Sequence, residues 1–200
     1  MKKPILFLLF SLIAKLSFAQ VAPSAEEISP LLIGQQIPST QITAINGEAS
    51  SLTDLVKGQK SVLLFYRGGW CPYCNLHLAE VGEMEKEIKE LGFNIIAISP
   101  DSPEKLQESV EKQSLDYQLY SDADGELIKA MGLAFKAPEN YGSMLSKVSG
   151  DKNKGILPVS SLFITDGEGI ILFQYVSPDY KQRISGKMLM AVLESLQEED

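Results

Sequence analysis

The sequence predicts one α/β domain, a central mixed sheet flanked by helices, with the order β-α-β-α-β-α-β-β-α. Two observations support this prediction. The apolar runs SVLLFY (61–66) and FNIIAIS (93–99) alternate with helix-like stretches, which is typical of parallel strands buried on both faces. Later, two strand-like runs flank Asp-Gly-Glu-Gly (166–169), so the chain closes with an antiparallel hairpin. With 44% apolar and 22% charged residues among 200, the composition fits a single globular core.

The first half of the chain contains a hairpin and two long helices. Asn-Gly is the expected turn of a small hairpin over 42–52. A helix is predicted from Pro72 to Leu91, because apolar residues recur there at spacings of three and four, and Gly92 ends it. Ser102, followed by Pro and Glu, is expected to cap a helix that runs to about Leu115.

The second half contains shorter elements around one long polar loop. A strand is expected at 117–120, a short helix within 122–132, a loop at 136–157, strands at 159–165 and 170–176, and a last helix capped by Ser185.

The first nineteen residues have the features of a signal peptide. A basic start is followed by a mainly apolar run over 5–14, and Ser17-Phe18-Ala19 predicts cleavage before Gln20. The apolar run is too short to span a bilayer as a helix, and no later segment is long enough, so the mature protein is expected to have no membrane span. We therefore predict export, to the periplasm or outside the cell, with a flexible segment at 20–30 and one domain at 31–200.

The net charge argues against nucleic acid as a partner. The whole chain has a formal charge of −8. Subtracting Lys2, Lys3 and Lys15 from the 18 basic side chains leaves 15 against 26 acidic ones, or −11. Such a surface repels phosphate backbones and anionic lipids.

Both cysteines of the chain lie in the run Cys71-Pro-Tyr-Cys74. A disulfide between them closes only a tiny loop and stabilises a fold weakly, which makes a purely structural bridge the least favoured interpretation. The strand-turn-helix pattern places Cys71 at a helix N-terminus, where cysteine pKa values fall. Cys74 is then one turn further along, within reach of a reversible Cys71–Cys74 disulfide.

A metal site is a weaker alternative. His77, the only histidine, has tempting spacing from the two cysteines, but structural zinc requires four ligands and no second pair exists. Haem attachment requires histidine where Asn75 stands. No metal or other cofactor is predicted.

Several stretches resemble a known family. Trp70-Cys-Pro-Tyr-Cys74 resembles the thioredoxin superfamily, and KSVLLFYRGGWCPYCNLHLAEV, SPDSPEKL, YSDADGELIKAMGL, LPVSSLFITDGEGII and VSPDYKQR resemble the peroxiredoxin-like AhpC/TSA group. The resemblance covers most of 31–197 and implies a thioredoxin-like fold. It also implies that Trp70 shields the cysteine pair and that Pro158 is a cis-proline beside it.

The resemblance assigns the two cysteines in two ways. Aligned with thioredoxins, Cys71 attacks and Cys74 resolves. Aligned with the peroxiredoxin motif FYP…TxxC, Cys74 is the peroxidatic cysteine, Cys71 replaces the threonine that binds peroxide, and Arg67 replaces the proline. The family's arginine before the late strand is replaced near 159–161, and Arg67 is either a source of positive charge or a solvated turn residue.

These observations leave four interpretations. The first is a peroxiredoxin-like enzyme that reduces peroxides through Cys71 and Cys74 and is reduced by a thioredoxin-type partner. The second is a thiol-disulfide oxidoreductase acting on disulfides of other exported proteins. The third is a metal-binding module that uses His77. The fourth is a purely structural disulfide. The residues do not decide which cysteine attacks first.

Overall fold

A computed structural model describes residues 21–198. The signal peptide and its cleavage site lie outside the described residues. The predicted α/β architecture is confirmed. Its strands are β1 (Gln41–Ala44), β2 (Ala49–Ser51), β3 (Ser61–Phe65), β4 (Asn94–Ser99), β5 (Gln118–Ser121), β6 (Ala134–Lys136), β7 (Ile156–Pro158), β8 (Ser161–Thr165) and β9 (Ile171–Val176). Its helices are α1 (Leu52–Val56), α2 (Pro72–Glu83), α3 (Glu85–Glu90), α4 (Pro103–Gln113), α5 (Glu126–Ala130), α6 (Gly142–Val148) and α7 (Gly186–Glu198).

Seven strands form the central sheet in the order β2-β1-β5-β4-β3-β8-β9. Strands β3, β4 and β5 are parallel, and the hairpin β8–β9 pairs antiparallel beside β3, as the sequence predicted. The N-terminal hairpin joins the opposite edge, where β1 pairs antiparallel with β5. A separate two-stranded sheet is formed by β6 and β7, which lie at the two ends of the segment predicted as one long loop, and α6 lies between them.

The apolar strands separate two hydrophobic cores. Along β3 every residue is buried, and Val62 and Leu64 face one core whereas Leu63 and Phe65 face the other. This alternation explains why the run has no polar face: helices cover both sides of the sheet. The core on the Val62 side contains the cysteine pair.

Two local predictions differ from the structure. The helix predicted from Pro72 to Leu91 is divided at Met84 into α2 and α3. The division comes two residues after Gly82, which has the lowest helix propensity of the residues that follow Pro72 in the run. The expected cis bond at Pro158 is wrong, because no peptide bond among residues 21–198 is cis. Pro158 instead ends β7, paired with Ala134 of β6.

The segment predicted to be flexible makes backbone contacts with the domain. Ala22 donates a hydrogen bond to the Ala134 carbonyl (2.9 Å) and accepts one from the Lys136 N–H (2.9 Å). A short 3-10 helix follows at Ala25–Glu27. These bonds attach Ala22 to β6, and the flexibility of the segment at 20–30 stays a prediction.

No helix among residues 21–198 is long and apolar enough to cross a membrane.

Candidate active site

The cysteine pair lies where β3 passes through a tight turn into α2. Cys71 is the N-cap of α2 with extended backbone, and Pro72 follows at the first helical position. The Cys71 carbonyl accepts hydrogen bonds from the N–H groups of Cys74 and Asn75, each at 3.1 Å. Proline loses nothing at this position because its missing N–H would have no intrahelical partner. The local sequence therefore dictates the predicted placement of Cys71 at a helix N-terminus.

Both cysteines are free thiols with about 1% of their surface exposed. The two thiols interact with each other, and this interaction has opposite effects on their pKa values. It lowers the pKa of Cys71 to about 6, with further lowering from Arg67 and Arg183, although burial opposes the change. The same interaction, with burial, raises the pKa of Cys74 well above its ordinary value. The pair therefore holds one negative charge at neutral pH, centred on Cys71.

Arg67 lies in an aromatic cage beside the pair. Only 6% of its surface is exposed, and its guanidinium carbon lies 4.6 Å from the Tyr180 ring centre, 5.0 Å from that of Trp70 and 5.5 Å from that of Tyr141. Its Nε has no hydrogen-bond partner within residues 21–198. Contacts with three ring faces offset part of the cost of burying the charge. Arg67 is therefore a buried source of positive charge and not a solvated turn residue.

Arg183 is the residue that sequence reasoning missed. The chain has two arginines, and this second one comes from the loop before α7 to place Nη2 3.5 Å from the Cys74 sulfur. The arginine of the peroxiredoxin pattern is absent near 159–161, as predicted, but a guanidinium from another segment faces the dithiol. Arg183 is the last residue of the stretch VSPDYKQR, and only the tertiary fold shows that it contacts Cys74.

The remaining predicted residues lie around the pair. The Trp70 ring packs against that of Tyr141, with ring centres 5.6 Å apart and planes tilted by 55°, and Trp70 contacts the core that contains both cysteines. Pro158 lines a cavity of about 580 Å³ together with Arg67, Tyr141, Tyr180 and Ser160. Burial lowers the pKa of His77 to about 4, with a smaller contribution from Arg183.

A metal site finds no support in the described part of the chain. Among residues 21–198 no group of three or more potential ligands from His, Cys, Asp and Glu lies close enough together to hold an ion.

Comparison with known proteins agrees with this fold. The AhpC/TSA family model matches residues 33–174. Peroxiredoxin Bcp of Escherichia coli (strain K12) is 29% identical over 154 residues, which cover 77% of this chain and 90% of that protein. Peroxiredoxin Bcp of Bacillus subtilis (strain 168) is 28% identical over 153 residues, covering 76% and 90%.

Among solved structures, reduced Prx3 of Vibrio vulnificus in complex with hydrogen peroxide superposes with a TM-score of 0.71 at 20% identity. The match covers 82% of this chain and 99% of that one, and it confirms the thioredoxin-like peroxiredoxin fold. The chain belongs to the AhpC/TSA family. It is a peroxiredoxin-like oxidoreductase, as the sequence indicated.

Proposed function

We propose that the protein reduces peroxides through a dithiol-disulfide cycle of Cys71 and Cys74. The observation that carries this proposal is a thiol pair at a helix N-terminus, one member with its pKa lowered to about 6, next to both arginines of the chain. A thiolate is the nucleophilic form of cysteine, and at neutral pH most Cys71 is ionised.

The cycle balances with two thiols and one peroxide. The Cys71 thiolate attacks the distal oxygen of ROOH, the O–O bond breaks, and RO⁻ takes a proton to leave as ROH. Cys71 is then a sulfenic acid. The Cys74 sulfur attacks the Cys71 sulfur, and water leaves as the Cys71–Cys74 disulfide forms. An external thioredoxin-type dithiol supplies the two electrons and two protons that restore the thiols.

The cationic groups have separate tasks in this scheme. Arg67 lowers the pKa of Cys71 and also lines the cavity described above, so it can attract the peroxide and stabilise negative charge on the departing oxygen. Arg183 faces Cys74 and lowers the cost of ionising this thiol, whose pKa is otherwise raised. The same contact favours the alternative order, in which Cys74 attacks first, as the peroxiredoxin alignment implies.

Rapid mixing of the reduced protein with hydrogen peroxide and with an organic hydroperoxide, followed by Trp70 fluorescence, tests the proposal. The wild type is compared with Cys71→Ser and Cys74→Ser. We expect oxidation well above the rate of a free thiol, retained in Cys74→Ser and lost in Cys71→Ser. Retention only in Cys71→Ser reverses the assignment. A wild-type rate no faster than a free thiol refutes the peroxidase proposal.

A second candidate is a thiol-disulfide oxidoreductase for other exported proteins. It is favoured by the CxxC at the helix N-terminus and by the replacement of the peroxiredoxin threonine and proline by Cys71 and Arg67. Reduction of a disulfide-bonded model protein by the reduced enzyme, faster than by an equal concentration of dithiothreitol, distinguishes it from a dedicated peroxidase.

We also propose that the protein is exported and cleaved near Ala19–Gln20. The basic start, the apolar run and the small residues before the cleavage point support this proposal. Expression of the full chain, cell fractionation and N-terminal sequencing test it. A cytosolic product that retains Met1 would contradict it.

A further inference from the structure

One residue of the turn before Cys71, Gly69, is held through both its N–H and its carbonyl. The Gly69 N–H donates a hydrogen bond to Oδ2 of Asp101 (2.7 Å), and the Gly69 carbonyl accepts one from Nδ2 of Asn75 (2.9 Å). Asp101 follows β4 and is 2% exposed, so its carboxylate reaches the turn from the neighbouring strand. Asn75 belongs to the first turn of α2, immediately after Cys74.

Gly69 lies inside the turn that carries Cys71. The Cys71 N–H donates to the Gly68 carbonyl at 3.1 Å, which closes a four-residue turn with Gly69 at its second position. Gly68 has φ +136, and a Cβ there would lie within 3 Å of both the Trp70 ring and Asp101 Oδ1 (2.7 Å). The carboxyl group is therefore packed directly against the turn, and together with the Trp70 ring it leaves room only for glycine.

We propose that Asp101, with Asn75, is a positioning residue that holds the Gly68–Cys71 turn and keeps the Cys71 sulfur at the N-terminus of α2. The proposal deepens the proposed function, since it concerns the thiol that attacks there. Asp101 acts through its hydrogen bond with the Gly69 N–H and not through contact with substrate.

Charge and position have opposite consequences for the Cys71 thiol, which makes the proposal testable. A carboxylate near a thiolate disfavours the thiolate by repulsion, so removing the charge alone would lower the pKa of Cys71. Losing the clamp would move the sulfur away from the helix N-terminus and raise this pKa. Lys105, Glu108 and Tyr66 are the charged or titratable groups that interact with Asp101.

The charged or titratable groups that affect the Cys71 thiol are Cys74, Arg67 and Arg183. None of them is altered in the variants below. Burial raises the pKa of the Asp101 carboxyl to about 6, although the Gly69 N–H opposes the shift. The Asp101 carboxyl therefore titrates in the same pH range as the Cys71 thiol. A pH profile of the wild type alone does not separate the two titrations, so variants are compared.

The experiment is the pH profile of iodoacetamide alkylation of the reduced protein, with mass spectrometry to identify the modified cysteine. For Asp101→Ala we expect the Cys71 pKa to rise by about one unit, the size of a favourable helix-terminus effect. Alkylation at pH 5.5 then falls about eightfold. Asp101→Asn keeps a side-chain oxygen that can accept from Gly69, so its Cys71 pKa should stay at or below the wild-type value. An Asp101→Ala pKa that is unchanged or lowered overturns the proposal.

Asn75→Ala provides the second arm, and it carries the test if Asp101→Ala does not fold. It removes the hydrogen bond to the Gly69 carbonyl and should also raise the Cys71 pKa. Because both side chains hold the same residue, Gly69, the double variant should shift the pKa by less than the sum of the single shifts. Additive shifts overturn the shared clamp.

Asp122→Ala is the matched control. Asp122 is likewise a buried carboxylate (1% exposed) that accepts backbone hydrogen bonds, from Leu127 (3.0 Å) and Ile128 (2.8 Å) at the start of α5. It should lower the Tm without moving the thiol profile. If Asp101→Ala behaves in the same way, its role is structural only and the proposal falls. Alkylation needs no peroxide, so a failed peroxidase assay leaves this test intact.

Discussion

Removing the Arg183 guanidinium tests whether the chain's second arginine controls ionisation of the dithiol. Its Nη2 lies 3.5 Å from the Cys74 sulfur, and its charge lowers the pKa of both cysteines. Arg183→Met keeps most of the aliphatic side chain and removes the charge, so packing changes little while the electrostatic contribution is lost.

The size of the effect follows from the distance. Two unit charges 3.5 Å apart interact by about 1 kcal/mol in water and about 5 kcal/mol at an effective dielectric constant of 20. Arg183 is only half-buried, and the charge is centred on Cys71 rather than on Cys74, so the lower end applies. About 1.4 kcal/mol corresponds to one pKa unit. We therefore expect the first pKa of the dithiol to rise from about 6 to roughly 7.

The assay is most sensitive below neutral pH. At pH 7 a rise of this size lowers the thiolate fraction only from about 90% to about 50%. At pH 5.5 the fraction falls from about 24% to about 3%, so alkylation of the reduced protein should slow about eightfold. At pH 8.5 the wild type and the variant should react at nearly equal rates.

Two variants control for charge and for general perturbation. Arg183→Lys keeps a positive charge and should stay close to the wild-type profile. Lys187→Met removes an exposed charge of α7 and should leave the profile unchanged. An Arg183→Met profile that superposes on that of the wild type would refute the electrostatic role of Arg183.

Three further predictions concern the buried charges and the core. Arg67→Met should raise the dithiol pKa, because it removes a buried cation that lowers it; Arg67→Lys should rescue part of the shift in the same alkylation assay. Phe163→Ala should cost about 3–5 kcal/mol in urea unfolding, because the ring is fully buried and packs edge-on against Phe65 at 5.8 Å; a loss below 1 kcal/mol would contradict the packing. Burial raises the pKa of Asp122 from 3.8 to about 7, so its contribution to stability is present below about pH 4 and is lost as pH rises through 7. Asp122→Asn should therefore gain stability relative to the wild type between pH 4 and 7, and a constant difference in unfolding free energy would show that the shift is absent.

Most of the fold could be predicted because its signals are local. Continuous apolar runs can be satisfied only between two layers of helices, which identified β3 and β4. The Asn-Gly turn and the Ser185 cap are equally local, and the structure shows Ser185 Oγ accepting from the Met188 N–H at 3.3 Å. The pairing of β6 with β7 was missed because each strand has three residues and the paired residues lie 20 to 24 positions apart, beyond any periodic signal.

The sequence by itself determined the chemistry of this protein. Two cysteines in one strand-turn-helix segment, with proline at the first helical position, place a thiol at a helix N-terminus in any fold that accommodates the segment. The surroundings of that thiol depended on the tertiary structure. Arg183 comes from the loop before α7, and Asp101 reaches the turn from the end of β4. These contacts join residues distant in the chain, and they exist only because the sheet order brings the ends of β3 and β4 together with that loop.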